Sequence, residues 1–218
     1  MLEITMPYVD SWNAWYAWFN NKPDELVSWL DKAGFSRGLM ISSAYSWKTG
    51  QLQIPDKDRE HGMKEENTWA AGEQARYPER VRSIMSFDPL DTEGAIGEMN
   101  RCSDHLGMKG IKLHFDANGV DLLEPEHVER ILPVFQHAAS RGLPFLIHYG
   151  IKNNPSDKGS VCPEAMDIFF REIFQRSPGL QVQFAHCIGL YSEATESAFL
   201  RLTEIRRKNP EAEKNIWV

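Results

Sequence analysis

The chain has 218 residues, 42% of them hydrophobic and 25% charged, with a net charge of −7. That length holds one sizeable core, and the composition is ordinary for a soluble globular protein. The negative balance, with no Lys/Arg-rich run to offset it, argues against nucleic acid or an anionic membrane as partner. No stretch reaches the ~18 apolar residues of a membrane span, and the N-terminus has no basic segment followed by an apolar one. A cytoplasmic protein acting on a small molecule is the expectation.

The three cysteines, Cys102, Cys162 and Cys187, are odd in number and lack CxxC spacing. They are expected to be reduced thiols, mostly buried, and neither disulfides nor a thiolate zinc site. Seven tryptophans are present, three of them within Trp12–Trp18, an aromatic cluster of the kind that makes core or interface.

Along the chain, strands alternate with helices. Leu2–Val9 reads as a weak first strand. Pro23-Asp24-Glu25 opens a helix, with proline in the first turn and acids at the positive end of the dipole. Its positions Leu26, Trp29, Leu30 and Ala33 follow the spacing of one buried face, and Gly34 ends it. Gly38–Ser42 is short and apolar, as a strand buried on both faces should be. The polar stretch from Ser43 to about Glu66 reads as a long loop, and a helix follows around Asn67–Arg76.

Then come strand Val81–Phe87, helix Thr92–Leu106, strand Met108–Phe115, helix Pro125–Ser140 closed by Gly142, and strand Pro144–His148. Helix Pro163–Arg176, strand Leu180–His186, helix Ser192–Lys208 and strand Asn215–Val218 complete the pattern.

Such alternation implies a parallel sheet with right-handed crossovers. No glycine-rich phosphate turn follows the first strand, which favours a closed barrel over an open nucleotide-binding sheet. The expected fold class is therefore α/β, of the (β/α)8 TIM-barrel type, as a single domain over residues 1–218. A complete barrel takes about 250 residues and eight βα units, whereas this pattern stops at its seventh strand. The barrel is expected to be incomplete, either as a truncated piece of a longer protein or with its open edges paired in a homo-oligomer.

Two strands in tandem end in histidine, Phe145-Leu146-Ile147-His148 and Val182-Gln183-Phe184-Ala185-His186. The C-terminal ends of barrel strands face the active site, so these two rings should converge on one small volume. Histidine is the commonest ligand of a catalytic zinc-type metal, and it also serves as a general acid or base. The alternative for each ring is a core histidine bonded to backbone. In the preceding strand, alternation puts Lys112 and His114 on one face and Ile111, Leu113 and Phe115 on the other. A lysine turned toward a helix layer would be buried unpaired, so Lys112 is expected at the lumen mouth, where it could pair with a substrate carboxylate.

Tyr77-Pro78-Glu79-Arg80-Val81, Gly110-Ile111-Lys112-Leu113-His114, Pro144-Phe145-Leu146-Ile147-His148 and Ala185-His186-Cys187-Ile188-Gly189 together resemble amidohydrolase-related proteins (amidohydrolase family 2). This is the branch of the amidohydrolase superfamily that also contains aromatic-acid decarboxylases and lactone hydrolases. The likeness runs from about Tyr8 to Val218. It implies a metal-dependent hydrolase or lyase acting on a small carboxylate, lactone or amide, with His148 and His186 as metal ligands or substrate-orienting groups; Lys112 and His114, from their shared strand face, are the expected catalytic groups beside them. In that family a His-x-His pair follows the first strand and an aspartate follows the eighth. Here Asp10-Ser11-Trp12-Asn13-Ala14 stands at the first motif, with tryptophan and alanine at the ligand positions. A divalent metal, Zn or Mn, is thus expected to be held weakly or not at all. Two alternatives stay open: a degenerate barrel that binds a ligand or partner without metal, and a metal-independent acid–base enzyme.

Overall fold

Helices and parallel strands alternate through residues 3–6, 23–48, 55–149, 161–188 and 193–218, the residues described in a computed structural model of the chain. The Trp12–Trp18 cluster and the Asp10–Ala14 motif lie outside them. The chain forms two compact units, one of Met1–Phe87 with Glu98–Lys112 and one of Asp88–Gly97 with Leu113–Val218. Among the described residues no helix is long and apolar enough to cross a membrane.

In the first unit, β1 (Glu3–Met6) pairs in parallel with β2 (Gly38–Ser42), and β2 with β3 (Val81–Ser86). The end of β3 pairs with the start of β4 (Ile111–His114) through Met85↔Ile111 and Ser86↔Lys112. Helix α1 (Pro23–Ala33) precedes β2. Leu26 and Leu30 of α1 are buried, but Trp29 is 62% exposed and Ala33 is exposed too. The buried face is therefore narrower than the spacing suggests. Gly38 explains this: a Cβ placed there would lie 3.1–3.4 Å from the Leu26 and Leu30 methyls. The helix sits down on that bare backbone along its i, i+4 line, and the residues one step off the line stay outside.

The polar stretch expected to be a loop is mostly helical. A short 3-10 turn spans Ala44–Lys48, and helix α2 runs Asp56–Arg76. Lys, Glu, Met and Arg are good helix formers whatever their charge, and tertiary anchors replace the missing apolar stripe. Gly62 lies so close to Trp47 that an added Cβ would come within 2.3 Å of the indole ring. Gly62→Ala should therefore destabilise by about 1–3 kcal/mol through overpacking, although alanine is the better helix former by about 1 kcal/mol. A chemical-denaturation curve that gains stability would contradict this packing.

Four residues along from Gly62, Glu66 is buried and accepts a 2.7 Å hydrogen bond from the Ser43 hydroxyl. Asn67, fully buried, donates to the Ser86 carbonyl and to Glu98 Oε1, both at 2.8 Å, and accepts from the Ser86 N–H. Glu98 is in turn held by both arms of Arg101, each at 2.7 Å, and accepts from the Cys102 thiol. Burial, and then the Glu98 charge, pushes that thiol well above its ordinary pKa. All three cysteines are free, as expected, but only Cys102 is fully buried.

The second unit contains the start of α3 (Thr92–His105), whose Thr92 hydroxyl donates to the Arg130 carbonyl, and the short helix α4 (Phe115–Asn118) directly after β4. Then follow α5 (Pro125–Ser140), β5 (Phe145–His148), α6 (Pro163–Ile168), β6 (Val182–Phe184), α7 (Glu193–Lys208), α8 (Pro210–Asn215) and β7 (Ile216–Trp217). Strands β5, β6 and β7 pair in parallel. Their core is aromatic: Phe135 packs on Phe145 at 4.4 Å, and Phe169 meets Phe184 edge-on at 5.1 Å.

Three departures from the expected elements occur here. The helix after Pro163 widens into a π turn over Phe169–Phe174, where Gln175 N–H reaches back five residues to the Phe170 carbonyl. Helix α8 fills what was expected to be loop before the last strand. Strand β6 stops at Phe184, two residues short of His186.

Candidate functional site

Three histidines meet in the second unit. His114 is the last residue of β4 and His148 the last of β5, both half-buried; His186 lies just beyond β6 and is exposed. Their rings are close. His114 stacks on His148 with centroids 4.1 Å apart and planes 23° from parallel, and His148 meets His186 edge-on at 5.2 Å. The convergence of His148 and His186 expected from the strand pattern is observed, and His114 joins them.

The local sequence explains how each ring is held. Beside His148, the β5–β6 register sets Ile147 opposite Phe184, so the two strands deliver their histidines at neighbouring levels. The next residue, Tyr149, is buried and packs against Phe115 at 5.6 Å and Phe184 at 6.0 Å, an aromatic floor under the strand ends. Burial pushes the Tyr149 hydroxyl far above its ordinary pKa, so it stays a neutral phenol.

Past β6, the backbone turns left-handed for three residues that are not glycine, with φ of 55° at His186, 50° at Cys187 and 65° at Ile188. Such a conformation costs roughly 1–3 kcal/mol per residue and is tolerated where the surroundings impose it. Buried Ala185 and Ile188 anchor the two ends of that turn. Nothing in Ala185-His186-Cys187-Ile188 signals a left-handed run, since glycine and asparagine, its usual markers, are absent.

His114 also caps α4: the Ala117 backbone N–H donates to its Nδ1 at 3.1 Å. Strand β4 thus ends one residue earlier than expected, and Phe115 begins a helix instead of extending the strand's alternate face. At the other end of α4, Asn118 is 6% exposed, and among the described residues neither of its amide atoms has a hydrogen-bond partner. Sequence reasoning did not single it out, because only burial makes it unusual. Lys112, two residues before His114 in β4, is 4% exposed and has a partner within the protein.

A divalent ion in a catalytic site takes about three protein ligands and keeps one position open. The edge-on His148–His186 pair suits a shared ligand. Among the described residues, however, no group of three His, Cys, Asp or Glu side chains is placed to hold a metal. The chain's first histidine is His61, so no His-x-His pair follows β1.

A family model, "Amidohydrolase", matches residues 44–207. A relative from Dictyostelium discoideum, 2-amino-3-carboxymuconate-6-semialdehyde decarboxylase, is 28% identical over 121 residues, covering 50% of this chain and 33% of the relative. Among solved structures, a 2,6-dihydroxybenzoate decarboxylase complexed with 2,6-dihydroxybenzoate superimposes with TM-score 0.61 and 17% identity, covering 77% of this chain and 56% of that one. A 5-carboxyvanillate decarboxylase from Novosphingobium aromaticivorans with bound manganese gives TM-score 0.62 and 20% identity, covering 87% and 56%. The chain thus spans a third of the curated relative and just over half of these two solved chains. At these identities the structural likeness carries the fold, an α/β architecture of the TIM-barrel type, and the match over residues 44–207 places the chain in the amidohydrolase family.

Proposed function

We propose that this chain carries part of the active site of an amidohydrolase-family hydrolase or lyase that acts on a small carboxylate, with decarboxylation of a hydroxylated aromatic acid the best-supported reaction. The observation behind this reading is the histidine cluster at the ends of β4, β5 and β6, with His148 and His186 rings 5.2 Å apart. The relatives supply the substrate class, since those compared are decarboxylases of carboxylated muconate or benzoate compounds.

In this reading His148 and His186 bind or orient the reacting carboxylate, and an imidazole within reach of the ring carbon or a water gives or takes the proton. The aromatic floor of Phe115, Tyr149 and Phe184 under the strand ends excludes water beneath the substrate. A divalent ion, Mn or Zn, weakly held at the His148–His186 pair, would add Lewis-acid polarisation of the carboxylate. A cytoplasmic location, and a protein that works without nucleic acid or membrane, fit the acidic composition.

The test is an assay of carbon dioxide release from 2,6-dihydroxybenzoate by the chain, at increasing Mn2+ and after chelation. Turnover that rises with added Mn2+ and disappears on dialysis is expected. Turnover unaffected by chelation would favour metal-independent acid–base chemistry. Binding without any turnover would favour a barrel that only binds, a reading supported by Trp12 and Ala14 at the family's ligand positions.

A further inference from the structure

We infer that the cleft between the π turn and α8 is a second ligand site, at the opposite strand ends from the histidines, and that it takes a small aromatic amine in its cationic form.

The cleft follows from how two strands are entered. β6 and β7 pair through Val182↔Ile216, so the segments leading into them are neighbours. One is the end of the π turn followed by Ser177-Pro178-Gly179, and the other is α8. His148 and His186 instead follow the other ends of β5 and β6. Between the two entering segments lies a cavity of about 480 Å3, a size that holds small ligands. Phe170 and Phe174, stacked with centroids 5.9 Å apart, give it apolar walls together with Pro178. A π turn is an uncommon feature that recurs at functional sites.

Two polar groups set the ligand. Ser177 lines the cavity and is 1% exposed, and among the described residues its hydroxyl has no hydrogen-bond partner. Its backbone is already engaged, since its N–H donates to the Phe174 carbonyl at 3.2 Å and its carbonyl accepts from the Leu180 N–H at 3.0 Å. A buried hydroxyl left unmet destabilises the fold, and a partner entering from the cavity accounts for its being there. Glu211 is the one charged residue among the described residues that line the cavity. Its carboxylate accepts a 3.1 Å hydrogen bond from the Asn215 side-chain amide, which holds it at the wall. A carboxylate beside phenyl rings attracts an ammonium twice, through its charge and through the ring faces, and repels an anion. The matching molecule has a flat apolar body, a hydrogen-bonding tip and an ammonium. Tyramine has all three. Phenethylamine lacks the hydroxyl tip, and para-hydroxyphenylacetate carries a carboxylate in place of the ammonium.

Titration of the chain with each compound at low salt, followed by NMR of the ligand, tests the site. Tyramine should bind with a Kd on the order of 1 mM, as suits a ligand of its size. Phenethylamine should bind about fivefold more weakly, as for one lost hydrogen bond, and para-hydroxyphenylacetate more weakly than tyramine. Ser177→Ala should erase the difference between tyramine and phenethylamine. Glu211→Gln, which can still accept from Asn215, should erase most of the preference for tyramine over para-hydroxyphenylacetate. Without ligand, Ser177→Ala should melt about 2–4 °C above the parent, because it removes a buried polar group that has no partner. No tyramine binding at millimolar concentration, or affinities that neither variant changes, would overturn the proposal. So would a lower Tm in Ser177→Ala, which would mean that the fold itself satisfies the hydroxyl.

Discussion

Asn67→Ala is expected to destabilise the chain by about 3–5 kcal/mol, a large share of the 5–15 kcal/mol typical of a domain. The reason is what the amide holds together. Asn67 bonds both the N–H and the carbonyl of Ser86, at the end of β3, and donates to Glu98 as well. Ser86 is fully buried and Glu98 nearly so, so water cannot take over cheaply. Each buried polar group left without a partner costs about 1–3 kcal/mol, more for a charged one. The partial relief offered by Arg101, which still grips Glu98, keeps the sum below that of three independent losses. Urea denaturation followed by circular dichroism measures it. By contrast, removing Glu60 from its exposed pair with Lys64 should leave the denaturation midpoint essentially where it was, because solvent screens such a pair. An Asn67→Ala loss as small as that would mean that the Ser86–Glu98 network is not a structural support of this unit.

That network also marks where the sequence stops being legible. The alternation of short apolar runs with helical periods is a local signal, and from it the parallel strands and most helices could be located to within a few residues. The histidines at the ends of β5 and β6 were legible for the same reason, because barrel geometry assigns strand ends a place. What failed depends on partners distant in sequence. Asp56–Glu66 was read as loop because its charges show no apolar stripe, yet Ser43, Trp47 and Ser86 give α2 its anchors. Trp29 was read as buried from spacing alone, but the close approach of Leu26 and Leu30 to Gly38 narrows the contact. Helix α8 is different, since Asn209-Pro210-Glu211 carries a local start signal of its own, a proline at N1 and an acidic first turn. The left-handed turn through His186, Cys187 and Ile188 had no signal at all.

The turn matters because it sets how His186 meets His148, and the largest expected effect on activity follows from that meeting. On the proposed reading, His148→Ala and His186→Ala should each lower turnover of 2,6-dihydroxybenzoate by about 10²–10⁴-fold, the range for loss of a positioned acid–base group. Their rings lie 5.2 Å apart at the ends of paired strands, close enough to act on one bound group. Residues that act as a unit give strongly non-additive losses. The double variant should therefore be no more than about tenfold worse than the weaker single one, where independent roles would multiply the two losses. Stability should separate the pair differently. His186 is exposed, so its removal should cost within about 0.5 kcal/mol. His148 carries the stacked face of His114, and its removal should cost more and loosen the His114 ring. Fully multiplicative losses in the double variant would show two sites of action where the ring geometry puts one, and the shared-ligand reading of the pair would fall.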